Sequence, residues 1–362
     1  MAQSVLHRVL LDFNATDVAP NILAGAQSWA DACWLVMQLN DEAVSLWAPG
    51  LDTLNLCETL ALDTRGRRDD LIREIWLTML MGPVAFDFPS AQELVAAVNI
   101  RCNIVQAARN TMLAFHTCEA DRPKDYWNYD DDHGFVIKPG ASLIDALIQA
   151  TQPEVSGHVY AFSCYRATEY VVVLGIAQEL VQRNPVLFAR LQALWCHRPI
   201  RSAEFHAVFL REQGTMDAPL PPRYFVPGDR TWFRNPDAAS SDASGFEGSW
   251  VMYLGGGLFS NFWNNKEPYT LERKCLEIYH WRHGLYLDAE GEQRIDEAKV
   301  ARLMQASSTN AAEVAQIRAV MERYREPQGM YTDAGGCIDT TREFSRWVCP
   351  GTSDMVLPSP LP

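Results

Sequence analysis

Apolar positions recur at three- and four-residue spacing along much of the chain and give way to alternation in its middle third. Two early segments, "NILAGAQSWADACWLVMQL" (21–39) and "LDTLNLCETLAL" (51–62), repeat Trp and Leu at helical spacing around an "APG" break and are expected to be helices. "DDLIREIWLTMLMG" (69–82) predicts an amphipathic helix that Gly82-Pro83 stops. "FDFPSAQELVAAVNIRCNIVQAARNTMLAF" sets Ser90 three residues before Glu93, the pattern of a capping box, ahead of a long apolar period. "YWNYDDDHGFVIKPG" predicts a β-hairpin turning between Tyr129 and Phe135, and "SLIDALIQAT" a further helix. Behind Cys164 the run "TEYVVVLGIAQELVQRN" makes about five turns if helical throughout; its β-branched residues dilute the helical reading, but a buried helix tolerates them. "PGDRTWFRNPD" (227–237) predicts a turn and a short strand, and a low-complexity loop "AASSDASG" follows. "FEGSWVMYLGGGLFSNFW" (246–263) alternates and then turns on three glycines. "RIDEAKVARLMQA" and "TNAAEVAQIRAVMERYRE" read as surface helices, and the tail "SPLP" as disordered.

Length changes the picture little: 362 residues suffice for one large domain with extensions, or for two domains. Charge changes it more. There are 45 Asp and Glu against 31 Lys and Arg, a net of -14, which repels phosphate backbones and argues against a nucleic-acid partner. The most apolar run, "YVVVLGIA", is too short to span a bilayer, so no membrane role is expected. The nine cysteines are irregularly spaced and contain no C-x-x-C, which points to reduced thiols rather than a disulfide framework or a zinc site. "MAQSVLHRVLLDFNATD" has no basic region followed by a sustained apolar run. A cytoplasmic location is expected, or export by a signal-independent route. Asp130, Asp131 and Asp132 do not have the spacing of an EF-hand and read as a solvated turn. No cofactor is expected, because "LGGGLF" has neither a P-loop nor a Rossmann context.

The chemistry of the chain turns on "HVYAFSCYRATEY" (158–170). A helix N-terminus favours a thiolate, through its unpaired N–H groups and its dipole. If a helix begins at Cys164, the sulfur is placed as a nucleophile; on composition alone, a cysteine in an aromatic and apolar setting is more often a buried hydrophobe. The strands "PGDRTWF" and "SWVMYL" are the candidates to carry a base.

Several segments resemble, in order, the spore-type bacterial transglutaminases (the Tgl family). They are "GPVAFDFPSAQELVAAVNIRCNIVQAA", "DYWNYDDDHGFVIKPGASLIDAL", "VYAFSCYRATEYVVVLGIA", "PGDRTWFRNPD", "FEGSWVMYLGGGLF" and "QRIDEAKVARL". The resemblance covers roughly residues 68 to 305. It implies an α/β (α+β) fold with a papain-like, NlpC/P60-like core, flanked by a helical extension at 1–67 and a C-terminal helix and tail at 306–362. It also implies a reaction in which a Cys thiolate attacks a protein glutamine, ammonia leaves and a lysine amine takes the acyl group.

The carry-over is uneven. Cys164 falls on the family's nucleophile. The glutamate before it is Ser163 here, and the glutamate after the glycine of the strand motif is Ser249. Glu247 lies two positions earlier, which in a strand is the same face about 7 Å away. The family's histidine falls on Phe262, or with a one-residue gap on Asn261, and neither takes a proton from a thiol. His158, six residues before Cys164, is the other candidate base. His197, His280 and His283 read as packing or surface residues, and Arg166 with Glu169 as a local salt bridge.

Three functions stay open: a glutamine acyl-transfer enzyme, cross-linking or deamidating; a degenerate transglutaminase-like domain that binds a protein partner through "TWFRN…LFSNFW"; and an effector with altered chemistry.

Overall fold

The structure, a computed structural model, describes residues 16–29, 32–114, 120–325 and 335–359. Most of the N-terminal stretch read for a leader, Cys118, and residues 360–362 of the tail lie outside them.

The first segment is not helical. Strands β1 (Ile22–Trp29) and β2 (Ala32–Leu39) pair antiparallel from Ile22↔Leu39 to Trp29↔Ala32, and β2 also pairs with β3 (Asp87–Phe88). Along β2, Leu35, Met37 and Leu39 are buried while Val36 and Gln38 are half-buried. That period of two is the pleat of a strand, and it overrides the apparent helical spacing of Trp and Leu. The expected helical extension is therefore corrected to a β element followed by α1 (Asp41–Trp47) and, within 51–62, short helical turns at Thr53–Asn55 and Leu56–Thr59.

The next expectations hold in outline. Helix α2 (Arg68–Leu80) ends before Gly82, and α3 (Ala91–Asn110) starts at Ser90, whose hydroxyl accepts from the Glu93 N–H at 3.2 Å. The reciprocal half of the capping box is spent elsewhere. The Glu93 carboxylate accepts from the N–H groups of Val348 and Cys349 and from the Thr352 hydroxyl, which ties the C-terminal segment to α3. The hairpin β4 (Trp127–Asp130) and β5 (Gly134–Ile137) has the expected Tyr129↔Phe135 register. Asp130 accepts from the N–H groups of Asp132 and His133, and Gly134 takes φ +75° to close the turn.

Helix α4 (Leu143–Thr151) precedes α5 (Cys164–Arg183), whose 20 residues begin at Cys164, four residues ahead of the run quoted from Thr168. Helices α6 (Pro185–Trp195) and α7 (Ser202–Phe209) follow, then β6 (Leu210–Gln213). The site-bearing sheet comes next: β7 (Arg230–Arg234), β8 (Gly248–Gly255), β9 (Leu258–Phe259) and β10 (Tyr269–Thr270), in the order β10-β9-β8-β7 and antiparallel throughout. The segment read as a low-complexity loop holds a helical turn, Ala238–Ser241, and Ser240, Ser241 and Ala243 are buried. Helix α8 (Leu271–Gly284), the pair β11 (Leu285–Leu287) and β12 (Gln293–Ile295), helices α9 (Glu297–Ser308) and α10 (Ala311–Met321), and β13 (Arg342–Ser345) against β6 complete the chain.

Packing explains why the long helices lack a clean polar face. Ile100 and Ile104 of α3 join one core with α4 and α5, while Leu94, Val98, Cys102 and Val105 join a second with β2 and α2. A third core lies between the β7–β10 sheet and helices α8 to α10. Helices α3 and α5 approach closely at Gly175, where a Cβ would lie 2.5 Å from Ile104 Cγ1 and 2.9 Å from the Ile104 backbone nitrogen. Gly175→Ala is expected to lower stability by about 1–2 kcal/mol despite the better helix propensity of alanine, because backbone must move. The urea midpoint checks this; a rise would show that the helices separate freely.

Among the described residues no helix is long and apolar enough to cross a membrane.

Candidate functional site

Cys164 heads α5. Ser163 caps that helix by accepting from the Arg166 N–H at 3.2 Å. The helix faces β8, and Cys164 opens on a cleft of about 900 Å³ between α5, the sheet, α8 and α9. The cleft is aromatic: Trp232 and Trp250 stack 6.0 Å apart across β7 and β8, and Tyr165 meets Trp250 edge-on at 5.2 Å. Four carboxylates line it, from Glu247, Glu272, Glu277 and Glu297, against two cations, Arg273 and Lys274. Helix α9 supplies one wall through Glu297, Val300, Ala301 and Met304.

Two opposed influences act on the Cys164 thiol. Burial is the larger and pushes its pKa above the ordinary thiol value. The N–H groups of Trp250, Tyr165 and Cys164 itself favour the thiolate, and so does the charge of Lys274. Burial prevails, so the thiolate fraction at neutral pH is below that of a free cysteine. Alkylation of Cys164 by iodoacetamide should accordingly rise steadily from pH 6 to 9 and keep rising past about 8.5, the free-thiol pKa. Cysteine-resolved mass spectrometry checks this; a rate already level at pH 6 would mean that the resting site holds a thiolate.

The other candidates separate. Glu247 lines the cleft but precedes β8 and is exposed, with its carboxylate 3.5 Å from the Gly245 nitrogen. Ser249 lies in β8 opposite Phe233 and also lines the cleft. Asn261 lines it too, but its amide is committed to its own loop: it donates to the Glu267 carbonyl and accepts from the N–H groups of Trp263 and Asn264. Phe262 is buried in the core around α5. His158 is not brought to the cleft. It is exposed, 3.8 Å from Asp121 and edge-on to Tyr160, because the chain between it and α5 runs extended rather than folding back. His197 is exposed. His280 bonds to the Ser307 hydroxyl at 2.9 Å and to His283 at 3.1 Å, behind the cleft wall. Arg166 pairs with Glu169, which also accepts from the Ser202 N–H.

Sequence reasoning passed over Lys274 and Glu277. Lys274 is 2 % exposed, donates to Glu277 at 2.6 Å and to the Ser249 hydroxyl at 3.3 Å, and lies 3.6 Å from the centre of the Tyr269 ring. A lysine three residues before a glutamate on a helix reads as a surface pair. The one sequence signal was a lysine on the apolar face of "LERKCLEIYHW", beside the buried Cys275 and Leu276.

A cysteine-headed helix on an antiparallel sheet, within an α/β fold, is thus the frame of this chain. The family described as protein-glutamine gamma-glutamyltransferase matches residues 56–347, and the chain belongs to that family. It is 26 % identical over 191 residues to the protein-glutamine gamma-glutamyltransferase of Halalkalibacterium halodurans (strain C-125), over 52 % of this chain and 62 % of that relative, so it spans less than two thirds of the relative's length. It is also similar to the transglutaminase from Geobacillus stearothermophilus without its C-terminal extension, with a TM-score of 0.40 and 20 % identity over 59 % of this chain and 97 % of that one.

Proposed function

We propose that this chain transfers the acyl group of protein glutamine side chains through Cys164. The observation that carries the reading is Cys164 at the first position of a long buried helix, open to a cleft roomy enough for a side chain and its flanking peptide. In this reading residues 68 to 305 hold the papain-like core. The thiolate attacks the glutamine Cδ, the C–N bond breaks, and the nitrogen leaves as ammonia after taking a proton from water. A primary amine then attacks the thioester, the C–S bond breaks, and the thiolate returns as the amine's proton passes to water. N–H groups at the start of α5 are the donors for the transient oxyanion. The carboxylate excess along the cleft suits a cationic amine as acceptor; water as acceptor gives deamidation.

The second reading is a binding domain that keeps the fold. It is favoured by the raised Cys164 pKa and by the exposure of His158 away from the cleft. Incubation with a glutamine-rich protein and a fluorescent primary amine separates the two. Ammonia release with amine incorporation supports transfer, and release without incorporation supports deamidation. Neither, at any pH from 6 to 9, leaves the binding reading.

A further inference from the structure

By the resemblance, the site lacks both partners that activate the family's nucleophile: Ser249 stands at the glutamate, and Phe262 or Asn261 at the histidine. Something else occupies the region. The Lys274 ammonium is almost wholly enclosed, yet it reaches the strand at Ser249, next to the Trp250 whose N–H faces the Cys164 sulfur. An enclosed ammonium is an expensive way to hold a helix to a sheet. Exposed ion pairs at this spacing add a few tenths of a kcal/mol; here both charges leave water, and the burial is outweighed by Glu277 and Tyr269, so that the Lys274 pKa is raised. Lys274 also sits in the first turn of α8, where the helix dipole disfavours a cation. Packing alone would be met by methionine or leucine.

We propose that Lys274 is the charge partner of Cys164, standing in for the missing imidazolium, with Glu277 and Ser249 as the residues that position its ammonium. The inference rests on the reading of Cys164 as the reactive group. A serine at 249 is part of the device. A glutamate there would set a second anion against the ammonium, whereas Glu277 alone pairs with it from its own helix and is partly open to solvent. The ammonium keeps its protons throughout. The thiol proton leaves to water, and the cation holds the thiolate that remains. Cys164, Ser249 and Lys274 line the same cleft.

The test compares the pH dependence of Cys164 alkylation by iodoacetamide in the wild type and three variants, with the other cysteines as controls and thermal unfolding as the check on folding. Lys274→Met should raise the alkylation midpoint of Cys164 by about one pH unit, or roughly tenfold slower labelling at pH 7. Glu277→Gln should move it the opposite way, because it removes an anion and leaves the ammonium in place. Lys274→Arg should stay near wild type. A purely structural pair predicts shifts of the same sign for Lys274→Met and Glu277→Gln, since both break it, and that result overturns the proposal. So does an unchanged midpoint in a folded Lys274→Met. If that variant does not fold, Lys274→Gln, which keeps a donor toward Ser249 and loses the charge, takes its place: a midpoint that rises supports the proposal, and one that stays or falls overturns it. No acyl substrate is needed, so opposite shifts without any amine incorporation would sink the proposed activity and leave the charge pair standing. Incorporation with unmoved midpoints would do the reverse.

Discussion

If the chain carries out the proposed acyl transfer, Cys164→Ala is expected to abolish its amine incorporation and ammonia release, by at least about 10³-fold, while leaving the fold almost untouched. The large effect follows from covalent catalysis: without the sulfur there is no thioester, and what remains is substrate binding plus oxyanion donors with no nucleophile to use them. The small effect follows from location. Cys164 is half-buried and opens the helix, Ser163 still caps it, and alanine is the best helix former. Losing one sulfur from a cleft wall should cost less than about 1 kcal/mol, below the range for emptying a full core site. Incorporation kinetics and the unfolding midpoint, measured on the same sample, check both halves. Retained activity in Cys164→Ala would remove Cys164 from the chemistry outright.

Asp229→Ala is expected to cost about 3–5 kcal/mol of stability. Asp229 has no exposed surface; it accepts from Arg101 at 2.7 Å and from the Val226 N–H at 2.8 Å. Arg101, itself buried, also donates to the carbonyls of Val226 and Pro227. The pair fastens the "PGD" turn, and so the start of β7, to the middle of α3. Gly228 sits there at φ +91° with its Cα hydrogens against Arg101, where a Cβ would come within 3.1 Å of the arginine Cα. Removing the carboxylate leaves a guanidinium buried without its counter-charge, which is the costly half of breaking a buried pair. Arg101→Met in the same chain should recover part of the loss, since no buried charge is then stranded. Denaturant titration of the two single variants and the double variant checks the coupling. A loss below 1 kcal/mol for Asp229→Ala would mean that water reaches the turn. Because β7 pairs with β8 through Trp232↔Trp250, the variant should also loosen the cleft floor.

Some of this protein was determined by local sequence alone. Ser163 before an apolar run set the start of α5 and put Cys164 at its head, and the Asp-Asp-His-Gly turn set the register of β4 with β5. "PGDRTWF" and "GSWVMYLGGG" set two strands and the turn after them. Each depends on interactions within a few residues: a cap accepting an N–H, an aspartate bonding its own turn, glycines taking positive φ. The pattern failed where one short apolar segment fitted two periods. Ile22–Trp29 and Ala32–Leu39 became strands because β2 finds Phe88 to pair with and a core for Leu35, Met37 and Leu39. Glu93 met its cap requirement on paper and instead spends its carboxylate some 255 residues away, on Val348 and Cys349. The site divides along the same line. The position proposed for its nucleophile was legible, because a helix end is local. The charged partner proposed for it was not, because Lys274 becomes unusual only when α8 packs on β8 and takes the ammonium out of water. Burial and the approach of groups far apart in sequence decide which charge matters, and only the tertiary structure carries them.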